Sequence, residues 1–417
     1  MSMIDMAIKI LEQGPICYNC LGRQFAKLAT GLTNKERGIA IKRALMMFAD
    51  QKSKEGEDSL QKRLESHTGK RCWVCNGLFE NLGVWARLAT DKLSDHQYDT
   101  FLVGTRVSGL LAENEEILWA ESGVVYAEPL KSELNREVGK LIYAETAKEV
   151  DFERPDIVVM LDIVENKVEL DVNSLFIYGR YKKLVRGIPQ TKWPCRECDG
   201  EGCEHCNYLG KMYKESVEEL IKGPVIELSG GIDMVFHGAG REDIDALMLG
   251  RGRPFVLEVK RPLRRHFDLV HLKDDINNCA KDKVEVSDLI FVTKDVVEDI
   301  KANTTDKVYR LKITFKGVIS REKLKVALDQ LSGSIIKQRT PTRVAHRRAD
   351  KLRKRTVHSV ELEDMSDNSA TIQVHCVGGL YVKELISGDA GKTKPSLSEL
   401  LGVDVHMVEL DVIEIKE

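Results

Sequence analysis

Apolar residues recur at helical spacing over Met3–Gln13, Asn34–Asp50 and Leu78–Leu93, so the first 95 residues read as helical. The pattern then changes. Thr100–Val107 predicts a strand and Glu128–Val150 a long amphipathic helix. Asp156–Ile163 and Lys167–Val172 predict paired strands turning at Glu165-Asn166. Further on, strands are predicted at Ile232–Phe236, Pro254–Val259, Asp288–Val292, Tyr309–Phe315, Val357–Leu362, Ala370–Cys376 and Val408–Ile415. Helices are predicted at Ser216–Lys222, Val296–Lys301, Ser320–Leu331 and Leu397–Leu401. Strands dominate and helices are scattered among them, which predicts an α+β fold with a mixed sheet flanked by helices. The chain divides into a helical region 1–95, a compact α+β unit 96–192, a small insertion 193–210 and a large domain 211–417.

Composition changes this picture little. At 417 residues the chain exceeds one ordinary domain, and 42% hydrophobic content is enough for real cores. A net charge of -3 means that any polyanionic partner must be recognised by local patches. No apolar run approaches a membrane span, and Met1–Leu11 mixes Asp5 and Lys9 into a helical pattern without a signal-peptide core. The expectation is a cytoplasmic protein.

Cysteine usage is more informative. Eight of the ten cysteines form Cys-x-x-Cys pairs: Cys17/Cys20, Cys72/Cys75, Cys195/Cys198 and Cys203/Cys206. In a reducing compartment this spacing predicts zinc rather than disulfides. The first two pairs are expected to share one structural zinc, because each pair needs a partner to complete a tetrahedron. The last two, close together and laced with glycine, predict a second closed zinc site. His205 lies among them, but four thiolates already suffice.

Basic residues cluster in two places. From Lys337 to Arg355 there are nine Lys or Arg against Asp350 alone. This one-sided run, which includes Arg343, Arg347 and Arg348, predicts a flexible or partly ordered loop that grips phosphate. Between Tyr178 and Lys192, Arg180, Lys182, Lys183 and Arg186 alternate with aromatics. An RNA-facing surface and an ordinary solvated edge strand fit that stretch equally well.

Candidate chemistry gathers at Gly238-Ala-Gly-Arg241-Glu-Asp243-Ile-Asp245, a glycine-flanked loop between two predicted strands. Two other pieces stand with it: Tyr309-Arg-Leu, and Gly378-Gly-Leu-Tyr381-Val-Lys383-Glu-Leu385-Ile, which follows a strand and opens a helix. Together these resemble the pseudouridine synthases. Adding Arg253-Pro-Phe, Gln338-Arg-Thr-Pro-Thr-Arg343 and the segment from Tyr381 to Pro395, the chain resembles the Pus-ten type of tRNA pseudouridine synthase over its whole C-terminal domain. The middle unit resembles that family's THUMP-type RNA-binding module, and the N-terminal cysteine pairs its zinc-bearing accessory domain.

The resemblance implies an α+β synthase domain with a mixed, mostly antiparallel sheet. It implies tRNA as partner, the T-loop uridines 54 and 55 as targets, structural zinc, and no cofactor for catalysis. It selects Asp243 over Asp245 as nucleophile, with Lys383 as counter-ion, which suits a carboxylate that must be ionised to act. Tyr309 stacks on an extruded base, Tyr381 and Leu385 line the pocket, and Arg241 helps extrusion. Arg343, Arg347 and Arg348 grip the backbone. A monomer is expected, since separate domains can hold one RNA together.

Two rival readings come from other classes. Asp245 with Glu258 and Lys260 imitates the Asp…Glu-x-Lys pattern of metal-dependent nucleases. The pattern is short and leaves Tyr309, the basic run and the Tyr381 segment without a role. A non-catalytic RNA-binding adaptor leaves the Asp243 loop without purpose.

Overall fold

The structure is a computed structural model that describes residues 2–302, 305–346 and 348–416. The chain forms two compact units. The first is Met1–Asn173 with Leu263–Arg265, and the second holds Ser174–Pro262 and His266–Glu417.

In the first unit, helices Met3–Glu12 and Asn34–Lys54 each begin with a capping box, Ser2 with Asp5 and Thr33 with Glu36. The predicted helix 78–93 is broken. Gly77 at φ +75° starts a single turn, Leu78–Glu80, and the helix proper is Leu82–Leu93. The predicted helix 128–150 is shorter, Leu130–Thr146. Pro129 sets its start, Ala147 at φ +54° ends it, and Glu149–Val150 instead pairs as a short parallel strand. A helix not predicted, Gly109–Ser122, buries Leu111 and Leu118 but exposes Leu110 and Ile117, which blurs its apolar stripe. The sheet runs Glu149–Val150, Thr100–Arg106, Ile157–Asp162, Lys167–Val172, parallel except at the last junction.

The second unit is built on a ten-stranded sheet. Its order is Thr393–Lys394, Ile335–Gln338, Arg353–Ser366, Ser369–Cys376, Asp306–Phe315, Val405–Lys416, Leu247–Lys260, Leu175–Lys183, Val284–Val292. Asp233–Gly238 also pairs with Leu247–Lys260. All junctions are antiparallel except that between Val405–Lys416 and Leu247–Lys260. The mixed, mostly antiparallel sheet expected from the sequence is therefore present.

Several strands run longer than expected, Arg353–Ser366 and Val284–Val292 among them, and Ile335–Gln338 is an added one. Two more differences bear on the site. Leu247–Lys260 extends well before Pro254, because Gly250 and Gly252 interrupt the apolar pattern without ending the pairing. Leu175–Lys183, grouped by sequence with the middle unit, pairs on both sides within the large sheet. The core divides into two clusters, and Tyr309 packs against both.

Candidate active site

The loop between strands Asp233–Gly238 and Leu247–Lys260 carries Asp243, and its backbone is held from beneath. Glu242, the neighbour of Asp243, turns inward and is buried. Its carboxylate accepts two contacts from the Tyr181 hydroxyl, at 2.9 and 2.8 Å, and one from Arg253 Nε at 2.8 Å. Arg253 Nη1 also donates to the Ala239 carbonyl at 2.8 Å. Lys183, fully buried, donates at 3.1 Å to the carbonyls of Ile188, Asp243 and Ile244. Gln190 donates to the Gly240 carbonyl at 3.0 Å and to Tyr181 at 2.7 Å.

The two glycines now have reasons. Gly240 adopts φ +81°, and a Cβ at Gly238 would sit 2.7 Å from Gln190 Nε2.

Electrostatics keep this brace wired. Burial, then the Glu242 charge, push the Tyr181 phenol well above its usual range, so it stays a donor. Burial pulls the Lys183 ammonium down, against the pull of Glu242. Burial works against the Arg253 charge as well, but Glu242 more than restores it. A buried carboxylate held by two donors, the Tyr181 hydroxyl and Arg253 Nε, is a fixed point, and Asp243 is covalently next to it.

Above the brace, Asp243 Oδ2 lies 2.9 Å from Lys383 Nζ, and Asp245 lies 3.3 Å from the same ammonium. Asp243 is about one-third exposed and Asp245 about two-thirds. Lys383 stands in the short helix Val382–Ser387, with Tyr381 at its N-terminal boundary. Gln338 clamps Tyr381 through both backbone groups, at 2.9 Å each. Arg343 is held by Glu384 at 2.7 Å and reaches to 3.9 Å from Asp243. Arg343 and Arg353 lie 6.0 and 5.8 Å from the Tyr381 ring centre. Tyr309 lies close enough that Asp243 and Arg253 both act on its phenol. Burial first, then Cys376, hold that phenol above its usual range.

Five of the expected residues thus gather: Asp243, Lys383, Arg343, Tyr381 and Tyr309. Three described ones do not. Leu385 is completely buried in the core, under the helix rather than on a pocket wall. Arg241 stacks its guanidinium on Trp193, 4.5 Å from the ring centre. Arg348 is exposed. Arg347 lies outside the described residues.

Two further readings sharpen. Of the flexible and partly ordered forms expected for the basic run 337–355, its described residues show the partly ordered one. Its ends are paired strands, with Lys337 opposite Lys354 and Gln338 opposite Arg353. Arg339 is tied to Asp350 at 2.7 Å. The Tyr178–Lys192 stretch is not an RNA-facing surface over most of its length. Arg180, Tyr181 and Lys183 are buried, and Arg186 binds Asp411 at 2.7 Å.

Glu242, Arg253 and Gln338 stand in the segments that carry the family resemblance, but no role of its own was legible for any of them in the sequence. The nuclease arrangement does not form. Glu258 binds His237 at 3.0 Å, and among the described residues Asp245 joins no metal-capable cluster with it.

The family profile described as "Pus10, C-terminal" matches residues 176–416, and that described as "Pus10 THUMP domain, archaeal" matches 85–162. The chain belongs to the Pus10 family. Relatives include the tRNA pseudouridine synthase Pus10 of Methanothrix thermoacetophila, 54% identical, over 99% of this chain and 94% of that protein. That of Halorubrum lacusprofundi is 42% identical, over 100% and 97%. Among solved structures, a Cbf5-Nop10-Gar1 complex matches at 16% identity and a TM-score of 0.31, over 48% of this chain and 45% of that one. As a Pus10 protein the chain is an enzyme, a pseudouridine synthase, with a THUMP domain ahead of its catalytic region. No helix among the described residues is long and apolar enough to cross a membrane.

Both cysteine sets of this Pus10 protein could hold a metal. Cys17, Cys20, Cys72 and Cys75 converge, as do Cys195, Cys198, Cys203 and Cys206. Four sulfurs around one zinc at about 2.3 Å must lie about 3.8 Å apart. The sulfurs of Cys17 and Cys75 are 3.7 Å apart. Those of Cys195 and Cys203, Cys198 and Cys206, and Cys203 and Cys206 are 3.9, 3.9 and 3.8 Å apart. Backbone amides of Gly202 and Gly210 donate to Cys198 and Cys206 at 3.1 and 3.2 Å, as thiolates require.

Proposed function

We propose that this enzyme isomerises uridine in the T-loop of tRNA, at positions 54 and 55, with Asp243 as nucleophile. The observation that carries the assignment is the Lys383 ammonium 2.9 Å from Asp243, on a loop whose backbone a buried network fixes. Isomerisation breaks the bond between N1 and the sugar, turns the base and joins C5 to the same carbon. C5 loses a proton and N1 gains one, so no oxidant, reductant or cofactor is required. A carboxylate beside the sugar–base bond serves as nucleophile, and the Lys383 ammonium 2.9 Å away is its counter-ion.

The target uridine must leave its stack before that bond can be reached. Tyr309 stacks on it, contributing on the order of 1–3 kcal/mol. Tyr381, flanked by Arg343 and Arg353, borders the pocket. Arg241 lies against Trp193, 4.5 Å from the ring centre, a place that suits a side chain that meets the RNA. Arg343, Arg347 and Arg348 belong to the phosphate grip. The cysteine sets hold structural zinc, which closes all four positions and supplies no catalytic water. The unit that carries the THUMP domain contributes to holding the tRNA, and the unit from Ser174 onward carries the chemistry.

The test is tritium release from uridine labelled at carbon 5 in tRNA, with EDTA present. Asp243→Asn should abolish release while tRNA still binds, and Asp245→Asn should keep most of it. Full activity in Asp243→Asn sinks the assignment. Mapping pseudouridine in the product tRNA decides positions 54 and 55.

A further inference from the structure

One more set of ligand-bearing side chains converges, away from the Asp243 loop. Asp306 opens strand Asp306–Phe315, His358 lies in Arg353–Ser366 and His375 in Ser369–Cys376. These strands are adjacent in the sheet. Asp306 Oδ2 is 2.9 Å from His358 Nε2 and 3.8 Å from His375 Nε2. The two imidazoles lie 4.6 Å apart between centres. The pairing of the two histidine strands slips between Val357 and Ser359, which leaves His358 as the extra residue of a bulge. Bulges commonly re-aim a side chain, and this one sets His358 beside His375.

An ordinary ion pair accounts for His358 with Asp306. It does not account for His375, whose Nε2 is buried and has no hydrogen-bond partner among the described residues, although it faces the same carboxylate oxygen. A buried ring nitrogen left unpartnered beside a carboxylate and a second imidazole suits a cation placed between the three side chains.

We propose that Asp306, His358 and His375 bind one divalent transition-metal ion, distinct from those held by the cysteines. Nitrogen and oxygen ligands at about 2.0–2.1 Å around a tetrahedral ion stand about 3.3–3.4 Å apart. The observed 2.9 and 3.8 Å straddle that spacing, so side-chain adjustments of about half an ångström close the site. Two imidazoles and a carboxylate without sulfur favour Zn²⁺, Co²⁺ or Ni²⁺ over Ca²⁺ or Mg²⁺. The fourth position opens toward solvent on the side of the exposed His358.

Lys416 faces Asp306 across the sheet, and Lys307 adjoins it. Their charges make this the weakest of the three sites, and its ion exchangeable. Asp306 and Tyr309 are an odd number of residues apart, so they point to opposite faces of the strand. The ion therefore ties three adjacent strands together on the face of the sheet opposite Tyr309, and takes no part in the isomerisation.

The test uses the full chain as purified, titrated with Co²⁺ in parallel with a His375→Gln protein. Metal per chain is read after dialysis, and visible absorption during titration. The native protein should take up one more equivalent than His375→Gln, with weak bands and no thiolate charge transfer. Asp306→Asn should weaken that uptake at least tenfold, and brief EDTA should remove it. The difference between variants is the readout, so it does not depend on whether the cysteine sets are filled. Equal uptake by native and His375→Gln proteins overturns the proposal. So does native binding that fails to saturate below about 1 mM. If His375→Gln loses its fold by circular dichroism, His358→Gln, on the exposed side, takes its place with the same two outcomes.

Discussion

Arg253→Met tests the brace beneath the Asp243 loop. Arg253 and Glu242 side chains are each 1% exposed, and Arg253 Nε approaches the carboxylate at 2.8 Å. Removing the guanidinium strands a carboxylate that keeps Tyr181 at 2.8 Å and Lys183 at 4.0 Å, too far for a direct bond. Breaking one partner of a buried pair costs about 3–5 kcal/mol. That is a large part of the roughly 5–15 kcal/mol that holds a domain together. The chain should stay folded at 25 °C and show a lowered midpoint in urea. Glu242→Gln with Arg253→Met removes both charges, and the double variant should recover about 1–3 kcal/mol of the loss.

The same change also frees the Ala239 carbonyl, which Arg253 holds at 2.8 Å. A loop shift of about 1 Å at Asp243 costs about 100-fold in rate. Tritium release should therefore fall about that much in kcat, with tRNA affinity close to native. The reasoning fails if Arg253→Met loses less than about 1 kcal/mol, since an unpaired buried carboxylate cannot cost so little. It fails equally if the double variant is as unstable as the sum of the singles, because Arg253 and Glu242 would then act independently.

Leu385→Ala should destabilise the second unit by about 2–5 kcal/mol through the cavity it leaves, with an unchanged KM for tRNA; a raised KM at native stability would return Leu385 to the pocket wall. Burial pushes the Glu133 carboxyl up to about 7 from 4.5, and its Oε2 has no partner. Its proton therefore stabilises the fold fully below pH 4.5, and that share, about 3 kcal/mol, is lost as pH rises through 7. Glu133→Gln should flatten this dependence and unfold at a higher urea concentration at pH 8; a steeper dependence refutes it. Metal analysis of Cys17→Ser/Cys72→Ser should find one zinc fewer per chain, and two fewer would mean the pairs do not share an ion. Arg348→Glu should reduce the salt slope of tRNA binding by about one unit per lost phosphate contact, and an unaltered slope removes it from the grip.

How much of this was legible in the sequence depended on how local each feature is. The cysteine sets were legible because a Cys-x-x-Cys pair is itself half a tetrahedron, so only the pairing between halves had to be inferred. Strands such as Tyr309–Phe315 and Ala370–Cys376 were legible because one face is buried and the apolar alternation survives. Arg180, Tyr181 and Lys183 were misread for the opposite reason. Polar side chains show their burial only through partners, and theirs come from residues 242–252, some 60 to 70 positions on. Composition alone gives such residues to the surface. Leu385 and Lys383 show the same limit over two positions. Both stand on one short helix, yet one faces Asp243 and the other is sealed in the core, which six helical residues are too few to reveal as a pattern.

The buried brace also explains why the loop motif reads as a continuous string. Gly238 leaves room for Gln190, Gly240 turns the chain, Glu242 anchors it and Asp243 faces out. Each position answers to a partner from a different strand or segment. Changing any one of them moves the same carboxylate. The position of the Asp243 carboxylate is thus set as much by the inward-facing Glu242 as by the ammonium of Lys383 above it.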